Sequence, residues 1–270
     1  MRRSDRIIAC LAIAGGVLAA SGCNRLTFIK PDMGKLEVEQ VRQPVVARDS
    51  AEVRARMAAQ QQVAQASAAL QAGDLAGAAS LAQAVLRADP ASVDAHTLLG
   101  AIAQQQGRAE EAGGHFKKAA EMSGGRGVEI GNYAAWLCAN GRIQDGLALF
   151  DHVIAASAAG ADMLANAGAC AVDAGQDERA HRQLRQALQL DPVNPLALEK
   201  LAMLSLRGGR PMDARAFIQR RLELPPVTAA VLRTAIQAEN QLGDAASAAR
   251  YRQRLSSEFP AAAGTTDPGN

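Results

Sequence analysis

Histidine and cysteine are the residues of this 270-residue chain best suited to metal binding or nucleophilic chemistry, and there are four of each. A metal site would need several of them at short, regular spacings. The histidines His96, His115, His152 and His181 contain no pair four residues apart, and no cysteine lies close to any of them in sequence. We therefore predict no bound metal and no cofactor.

Motifs for phosphate binding and acyl transfer do not occur in the sequence. The glycine-rich stretch 124–127 is not followed by the Gly-Lys-Ser/Thr of a phosphate-binding loop, and there is no Gly-x-Ser-x-Gly nucleophile elbow. Acidic pairs such as Glu110–Glu111 and Asp177–Glu178 fall where a helix is expected to begin, and the helix dipole favours them there. The sequence thus predicts a non-enzymatic protein without a small-molecule substrate.

The N-terminus contains a cysteine with a different chemistry. Three arginines among the first six residues precede an apolar stretch over residues 7–20, which is typical of a signal peptide. The stretch is shorter than the ~20 apolar residues that a membrane-spanning helix needs. It ends in Ala20-Ser21-Gly22-Cys23, which resembles a bacterial lipobox, so we predict lipidation of Cys23. Ordinary secretion with cleavage near Ala20 or Gly22 is the alternative.

The residue after Cys23 bears on localisation. In bacterial lipoproteins an aspartate at that position commonly signals retention in the inner membrane, whereas this chain has Asn24. We therefore predict a lipoprotein signal peptide over residues 1–22 and attachment to the periplasmic face of the outer membrane through lipid on Cys23, with two or more acyl chains making the anchoring stable. Without the signal peptide the chain is close to neutral, which argues against a nucleic-acid partner.

Glycine recurs at a fixed period of 34 residues along most of the chain, at Gly73, Gly107, Gly141, Gly175, Gly209 and Gly243. A small residue lies five positions after each of these glycines, and a proline lies seventeen positions after four of them. Glycine can adopt the left-handed conformation that ends a helix, the small residue allows close helix contact, and proline ends the second helix. The period therefore predicts repeated pairs of antiparallel helices.

This pattern resembles the tetratricopeptide repeat. The resemblance implies an all-α fold, a right-handed superhelical array of about six repeats of 34 residues. We predict a lipidated tether over residues 23–53, a repeat domain over residues 54–260 and a disordered tail over residues 261–270. Within the fifth repeat, Asn194 followed by Pro195 predicts a capped helix start.

In tetratricopeptide arrays the first helix of each repeat lines a concave groove, and this resemblance nominates ten partner-binding residues. They are Val63, Ser67, Leu70, Thr97, Ala101, Gln104, Val128, Ala135, Val172 and Asp173. Most are apolar or neutral, without the lysines and arginines that would bind a C-terminal carboxylate, so a hydrophobic or backbone-bonded segment of a partner fits this groove. The alternative is that several of them only pack against neighbouring helices.

Cys138 and Cys170 remain after the signal peptide and Cys23 are set aside, in a compartment that permits disulfides. With the ladder glycine placed at position 15, they occupy positions 12 and 10 of successive repeats. Two residues along a helix rotate a side chain by ~200°. Thiols on neighbouring first helices can therefore point toward each other, and we predict a disulfide. Two buried free thiols are the alternative.

Two strings narrow the resemblance: NYAAWLCANGR in the third repeat and ANAGACAVDAGQDERA in the fourth. Together with the lipobox, the tether, six repeats and the closing YRQRLSSEFP, they resemble the PilF/PilW group of type IV pilus biogenesis and stability proteins. The resemblance implies a pilotin that binds a peptide-like segment of the pilus secretin, promotes secretin assembly in the outer membrane and supports twitching motility. Trp136 is then predicted to fill an inter-repeat contact.

Two other functions stay open, because a repeat fold does not fix the partner. The chain could be a scaffold for peptidoglycan-modifying enzymes, in which case affinity capture would return hydrolases. It could also belong to the β-barrel assembly machinery, in which case deletion would be lethal.

Overall fold

The computed structural model describes residues 50–156 and 159–263. The signal peptide, Cys23, the tether up to residue 49 and residues 264–270 lie outside these ranges. Every regular element within them is a helix, which confirms the predicted all-α fold. The helices are α1 (Ala51–Gln71), α2 (Leu75–Ala88), α3 (Val93–Gln105), α4 (Ala109–Met122), α5 (Gly127–Ala139), α6 (Ile143–Ala156), α7 (Ala161–Asp173), α8 (Asp177–Leu190), α9 (Pro195–Arg207), α10 (Pro211–Leu222), α11 (Ala229–Leu242), α12 (Ala245–Glu258) and α13 (Pro260–Ala263).

Helices α1 to α12 form six antiparallel pairs, and each pair turns at one of the ladder glycines. All six ladder glycines have a positive φ, between 66° and 82°. At Gly141 the turn is closed by the Arg142 backbone N–H, which donates to the Leu137 carbonyl at 2.9 Å. Side chains of L-residues rarely adopt this conformation, so the predicted role of the ladder in ending the first helices is confirmed.

The small residue five positions after each glycine lies at the contact between the two helices of a pair. Ala78 and Ala180, for example, are fully buried. The contact is tightest at Gly146, where an added Cβ would lie 2.3 Å from the Cys138 Sγ and 2.7 Å from the Ala134 carbonyl oxygen. Because one of these neighbours is backbone, only glycine allows α5 and α6 to approach this closely.

The helical region extends slightly beyond the predicted repeat domain at both ends. Helix α1 begins at Ala51 rather than at residue 54, because the Ser50 side chain caps it by accepting from the Val53 backbone N–H at 3.2 Å. At the other end, residues 261–263 of the predicted tail belong to α13, where the Arg233 guanidinium donates to the Ala262 carbonyl at 3.4 Å.

Two smaller predictions about the repeats are confirmed. The Asn194 side chain caps α9 by accepting from the Ala197 backbone N–H at 3.0 Å. Trp136 on α5 fills a contact with the preceding repeat, since its indole N–H donates to the Ala109 carbonyl on α4 at 2.9 Å and its ring occupies the space above Gly113.

The first helices of consecutive repeats run parallel, so they share a face and begin at the same edge of the array. We call the surface formed by α3, α5, α7, α9 and α11 the first-helix face. The edge at which these helices begin is the loop edge, and the edge with the glycine turns is the glycine edge. Among the described helices, none is long and apolar enough to cross a membrane.

Candidate functional site

A cleft of about 620 Å³ lies on the first-helix face between α5 and α7, close to the loop edge. We call it the α5–α7 cleft. Val128 stands at its rim with 66% of its surface exposed. The first helices of the third and fourth repeats supply most of the lining, and the end of α6 supplies Val153. The cleft therefore depends on the spacing between two neighbouring repeats.

The floor of the α5–α7 cleft is apolar because of one glycine. An added Cβ on Gly131 would lie 2.5 Å from the Met163 Cε and 2.7 Å from its Sδ, so the methionine packs directly onto the backbone of α5. Met163 is only partly buried in this position. A thioether side chain is flexible and polarizable, which suits a floor that adapts to an incoming apolar group.

Two asparagines line the same cleft. Asn132 and Asn166 are 34 residues apart and occupy the same position in successive repeats. Packed helices lie ~8–10 Å apart, and three residues of an extended chain cover about the same distance at ~3.3 Å per residue. Each carboxamide offers donors and an acceptor, so the pair can bond the backbone of an extended segment laid across the two helices.

The charged groups of the cleft lining are both carboxylates. Asp162 accepts a hydrogen bond from the Asn194 side chain at 2.8 Å, and Asp191 accepts from the Val193 backbone N–H at 3.1 Å. Each of these bonds uses the Oδ1 atom and leaves the other carboxylate oxygen toward further donors. Within the described ranges the lining contains no lysine, arginine or histidine. The cleft is therefore an acidic environment.

Two arginines near the cleft are engaged elsewhere. Arg126 precedes α5 and pairs with Glu129 at 3.1 Å and with Asp94 at 4.0 Å. Arg220 donates to the carbonyl of Pro192. Neither arginine belongs to the lining, so the acidic character of the cleft stays uncompensated there.

The disulfide predicted between Cys138 and Cys170 is present in the structure. It joins α5 to α7 with a Cα–Cα distance of 5.6 Å, and both cysteines are buried. These are the two helices that form the α5–α7 cleft. The bond therefore holds the two walls of the cleft at a fixed spacing.

A second cleft, of about 510 Å³, lies on the first-helix face between the ends of α9 and α11. We call it the α9–α11 cleft. Its lining is richer in amide groups and is formed by Met203, Leu206, Arg207, Thr234, Gln237, Asn240 and Gln241. Arg207 donates to Asp177 at 2.8 Å, so its charge is paired.

The packing behind the α9–α11 cleft depends on a buried ion pair. Arg215 on α10 forms two hydrogen bonds with the Glu239 carboxylate on α11, one of them from Nε to Oε1 at 3.0 Å. Glu239 is 2% exposed, and Asp244 lies 3.4 Å from the same guanidinium. Hydrogen bonding to Glu239 raises the pKa of Arg215, which stays charged.

The structure divides the ten sequence-predicted groove residues into three groups. Val128 lines the α5–α7 cleft, and Gln104 and Asp173 are exposed. The half-buried residues are Val63, Ser67, Leu70, Thr97, Ala101 and Ala135. Of these, Leu70, Ala101 and Ala135 pack against core clusters, which agrees with the alternative that several candidates serve packing.

Val172 requires a correction, because it is 3% exposed and belongs to the main core. Successive helix residues point ~100° apart. Asp173 is therefore turned outward, where it pairs with Lys200 at 3.8 Å, while its neighbour Val172 faces inward. Thr97 is also engaged within its own helix, since its hydroxyl donates to the Val93 carbonyl at 3.0 Å.

Sequence reasoning missed the residues that shape the cleft, namely Gly131, Asn132, Met163 and Asn166. One signal could have found two of them: asparagine at the same position of consecutive repeats, which is a polar choice where a helix faces its neighbours. Gly131 carried no such signal, because its role depends on the side chain that packs onto it from the next repeat.

A histidine pair was also missed. The Nδ1 atoms of His96 on α3 and His115 on α4 lie 2.9 Å apart, and the His96 Nε2 lies 3.2 Å from the Pro90 carbonyl, to which it donates. Burial lowers the pKa of both imidazoles, and the neighbouring His96 lowers that of His115 further. The described residues contain no group of three or more histidine, cysteine or acidic side chains arranged for a metal ion.

Comparisons with known proteins agree with this architecture. A tetratricopeptide repeat model matches residues 63–126 and 171–227. No curated protein sequence matches the chain. Among solved structures, PilW, described as a widely conserved type IV pilus biogenesis factor, matches with a TM-score of 0.64 and 23% identity over 75% of this chain and 94% of that one. PilF of Pseudomonas aeruginosa matches with a TM-score of 0.62 and 19% identity over 78% and 94%.

A protein with a different kind of ligand has the same fold. A human IFIT1 dimer with m7Gppp-AAAA matches with a TM-score of 0.66 and 15% identity, over 73% of this chain and 49% of that one. At these identities the likeness establishes the fold alone. The partner must be inferred from the surface of this chain.

Proposed function

Since the described chain is a tetratricopeptide-repeat array with the fold of PilW and PilF, we propose that it is a non-enzymatic type IV pilus biogenesis protein of the pilotin kind. In this proposal the first-helix face binds subunits of the pilus secretin and promotes their localisation and multimer assembly in the outer membrane. Cys23 carries the lipid that anchors the protein to the periplasmic face of that membrane.

The observation that carries the proposal is the coincidence of the family-like string with the α5–α7 cleft. The string NYAAWLCANGR begins at Asn132 in the cleft lining and includes Cys138, which ties α5 to α7. The residues that resemble pilus proteins therefore build one wall of a cleft and fix its width. An apolar floor flanked by carboxamides suits a peptide segment of a protein partner.

A deletion strain tests the proposal. We expect loss of surface pili, loss of twitching motility and loss of heat-resistant secretin multimers, with secretin subunits remaining as monomers. Complementation with the wild-type gene should restore all three. Normal amounts of secretin multimers in the deletion strain would contradict the proposal.

The anchor is tested separately by complementation with a Cys23→Ala variant. We expect this variant to leave the outer-membrane fraction, because the attachment depends on the acyl chains. Secretin multimers should then fall in the outer membrane even though the repeat array is intact. An unchanged distribution of the Cys23→Ala protein between membrane and periplasm would contradict lipid anchoring.

A further inference from the structure

We infer that the α5–α7 cleft accepts an internal, extended segment that places one apolar side chain over Gly131 and a lysine or arginine two positions away. The inference rests on the proposed role of this cleft as a partner site. It does not depend on the partner being a secretin.

The apolar anchor follows from the floor of the cleft. Gly131 contributes only backbone, and Met163 from α7 packs onto it and can shift to fit an incoming group. Val128 extends the apolar surface at the rim, where it is largely exposed. A leucine, isoleucine, phenylalanine or methionine side chain covers this surface and removes it from water.

The basic neighbour follows from the charges. Asp162 and Asp191 are the charged lining groups, and each has one carboxylate oxygen beyond the bond that holds it in place. A C-terminal carboxylate would meet two like charges here and no cation in the described lining. A lysine or arginine would find the opposite charge, so charge complementarity selects an internal basic segment.

The spacing follows from an extended backbone. Residues i and i+2 of an extended chain point to the same side, whereas i+1 points away. A segment held by Asn132 and Asn166 that directs its anchor to the cleft floor also directs the residue two positions away toward the same lining. The expected motif is therefore apolar-x-basic or its reverse.

A positional-scanning library of acetylated and amidated heptapeptides, titrated against the mature chain, tests this inference. We expect enrichment of large apolar residues at one position and of lysine or arginine two positions away. Replacing that basic residue by aspartate in the best peptide should weaken binding about tenfold or more, about 1.4 kcal/mol. Enrichment of acidic residues, a preference for a free C-terminal carboxylate, or no enrichment would overturn the inference.

Matched variants assign any selection to this cleft. Val128→Arg should weaken binding of the best peptide, whereas Val128→Glu, at the same exposed position, should preserve or strengthen it. The double variant Asp162→Asn and Asp191→Asn keeps acceptors for both existing hydrogen bonds and should lose only the basic preference. Identical peptide affinities for Val128→Arg and Val128→Glu would place the binding elsewhere and overturn the inference.

Peptides from the periplasmic part of the secretin separate this inference from the proposed function. If the library selects the motif in the cleft but no secretin peptide binds, the proposed partner is wrong and the inference stands. If secretin peptides bind and the Val128 variants do not alter their affinity, the inference is wrong and the proposed function stands.

Discussion

The junction between the third and fourth repeats and the junction between the fifth and sixth hold neighbouring helices together by different means. The first has a disulfide between Cys138 and Cys170 and an apolar, acidic cleft. The second has the buried ion pair of Arg215 with Glu239 and a cleft lined mainly by amides. One junction is fixed covalently, and the other by charge.

The difference shows how a site arises within a uniform repeat. At the frame position of Gly131, the sixth repeat has Arg233, whose guanidinium reaches the Ala262 carbonyl and occupies the equivalent region. The glycine therefore opens a notch at one junction where another repeat places a long side chain. The helix pairs are shared by all repeats, and the binding surface depends on local substitutions.

Removing the disulfide should have the largest effect on stability. A Cys138→Ala and Cys170→Ala double variant is expected to lose up to about 3–4 kcal/mol of unfolding free energy, because the bond closes a loop across 32 residues. Urea unfolding of the variant and of the wild-type protein, each with and without reductant, measures this. Reductant should lower the wild-type midpoint and leave that of the variant unchanged. Equal midpoints for the oxidised wild type and the variant would contradict a stabilising bond.

Breaking the ion pair should have a smaller effect, confined to the other junction. Arg215→Met leaves the buried Glu239 carboxylate without its main partner and should lower the urea midpoint. Replacing both residues together, with Arg215→Met and Glu239→Leu, should recover part of the loss because no unpaired charge stays buried. A double variant less stable than Arg215→Met alone would show that the pair does not act in this way.

The two clefts should also differ in function. Val128→Arg is expected to reduce affinity for a secretin segment about tenfold, about 1.4 kcal/mol. Gln241→Arg, at an exposed position of the α9–α11 cleft, should leave that affinity nearly unchanged. Fluorescence anisotropy with a labelled secretin segment measures both, and circular dichroism confirms that both variants fold. A larger loss for Gln241→Arg would assign the partner site to the other cleft.

The histidine pair in the second repeat lies outside both junctions and should have the smallest effect. Burial lowers the pKa of His96 and His115 from the usual 6.5, with Lys118 lowering and Glu111 raising the value for His115. Below that pH the unfolded chain binds more protons than the folded chain, so the free energy of unfolding should fall as the pH falls. Above it the contribution should be constant.

Urea unfolding at about pH 8 and about pH 5 measures this dependence. A His96→Gln and His115→Gln double variant should lose less stability between the two pH values than the wild type does. The disulfide variant keeps both histidines and serves as the control, with a wild-type pH dependence. The same pH dependence in the histidine variant would exclude the pair as its source.

The sequence predicted the fold well because the repeat signals are local. A glycine such as Gly141 specifies its turn through its own backbone, and Asn194 caps the helix that follows it directly. The disulfide could be predicted as well, because the 34-residue frame converts sequence positions into helix faces.

The cleft and the ion pair could not be predicted in the same way. Gly131 matters because Met163 from the next repeat packs onto it, and Glu239 is buried because Arg215 reaches it from another helix. Such contacts depend on the rotation of each helix about its axis. Val172 illustrates this limit, since a step of one residue separates the core from the first-helix face.

Site-specific photocrosslinking in cells tests the central claim, that the first-helix face binds secretin at the α5–α7 cleft. A photoreactive amino acid replaces Val128 at the cleft or Met212 at the glycine edge, two positions with similar exposure of 66% and 61%. We predict a secretin crosslink from position 128 and little or none from position 212. Equal crosslinking from both positions, or no secretin crosslink from position 128, would contradict the account.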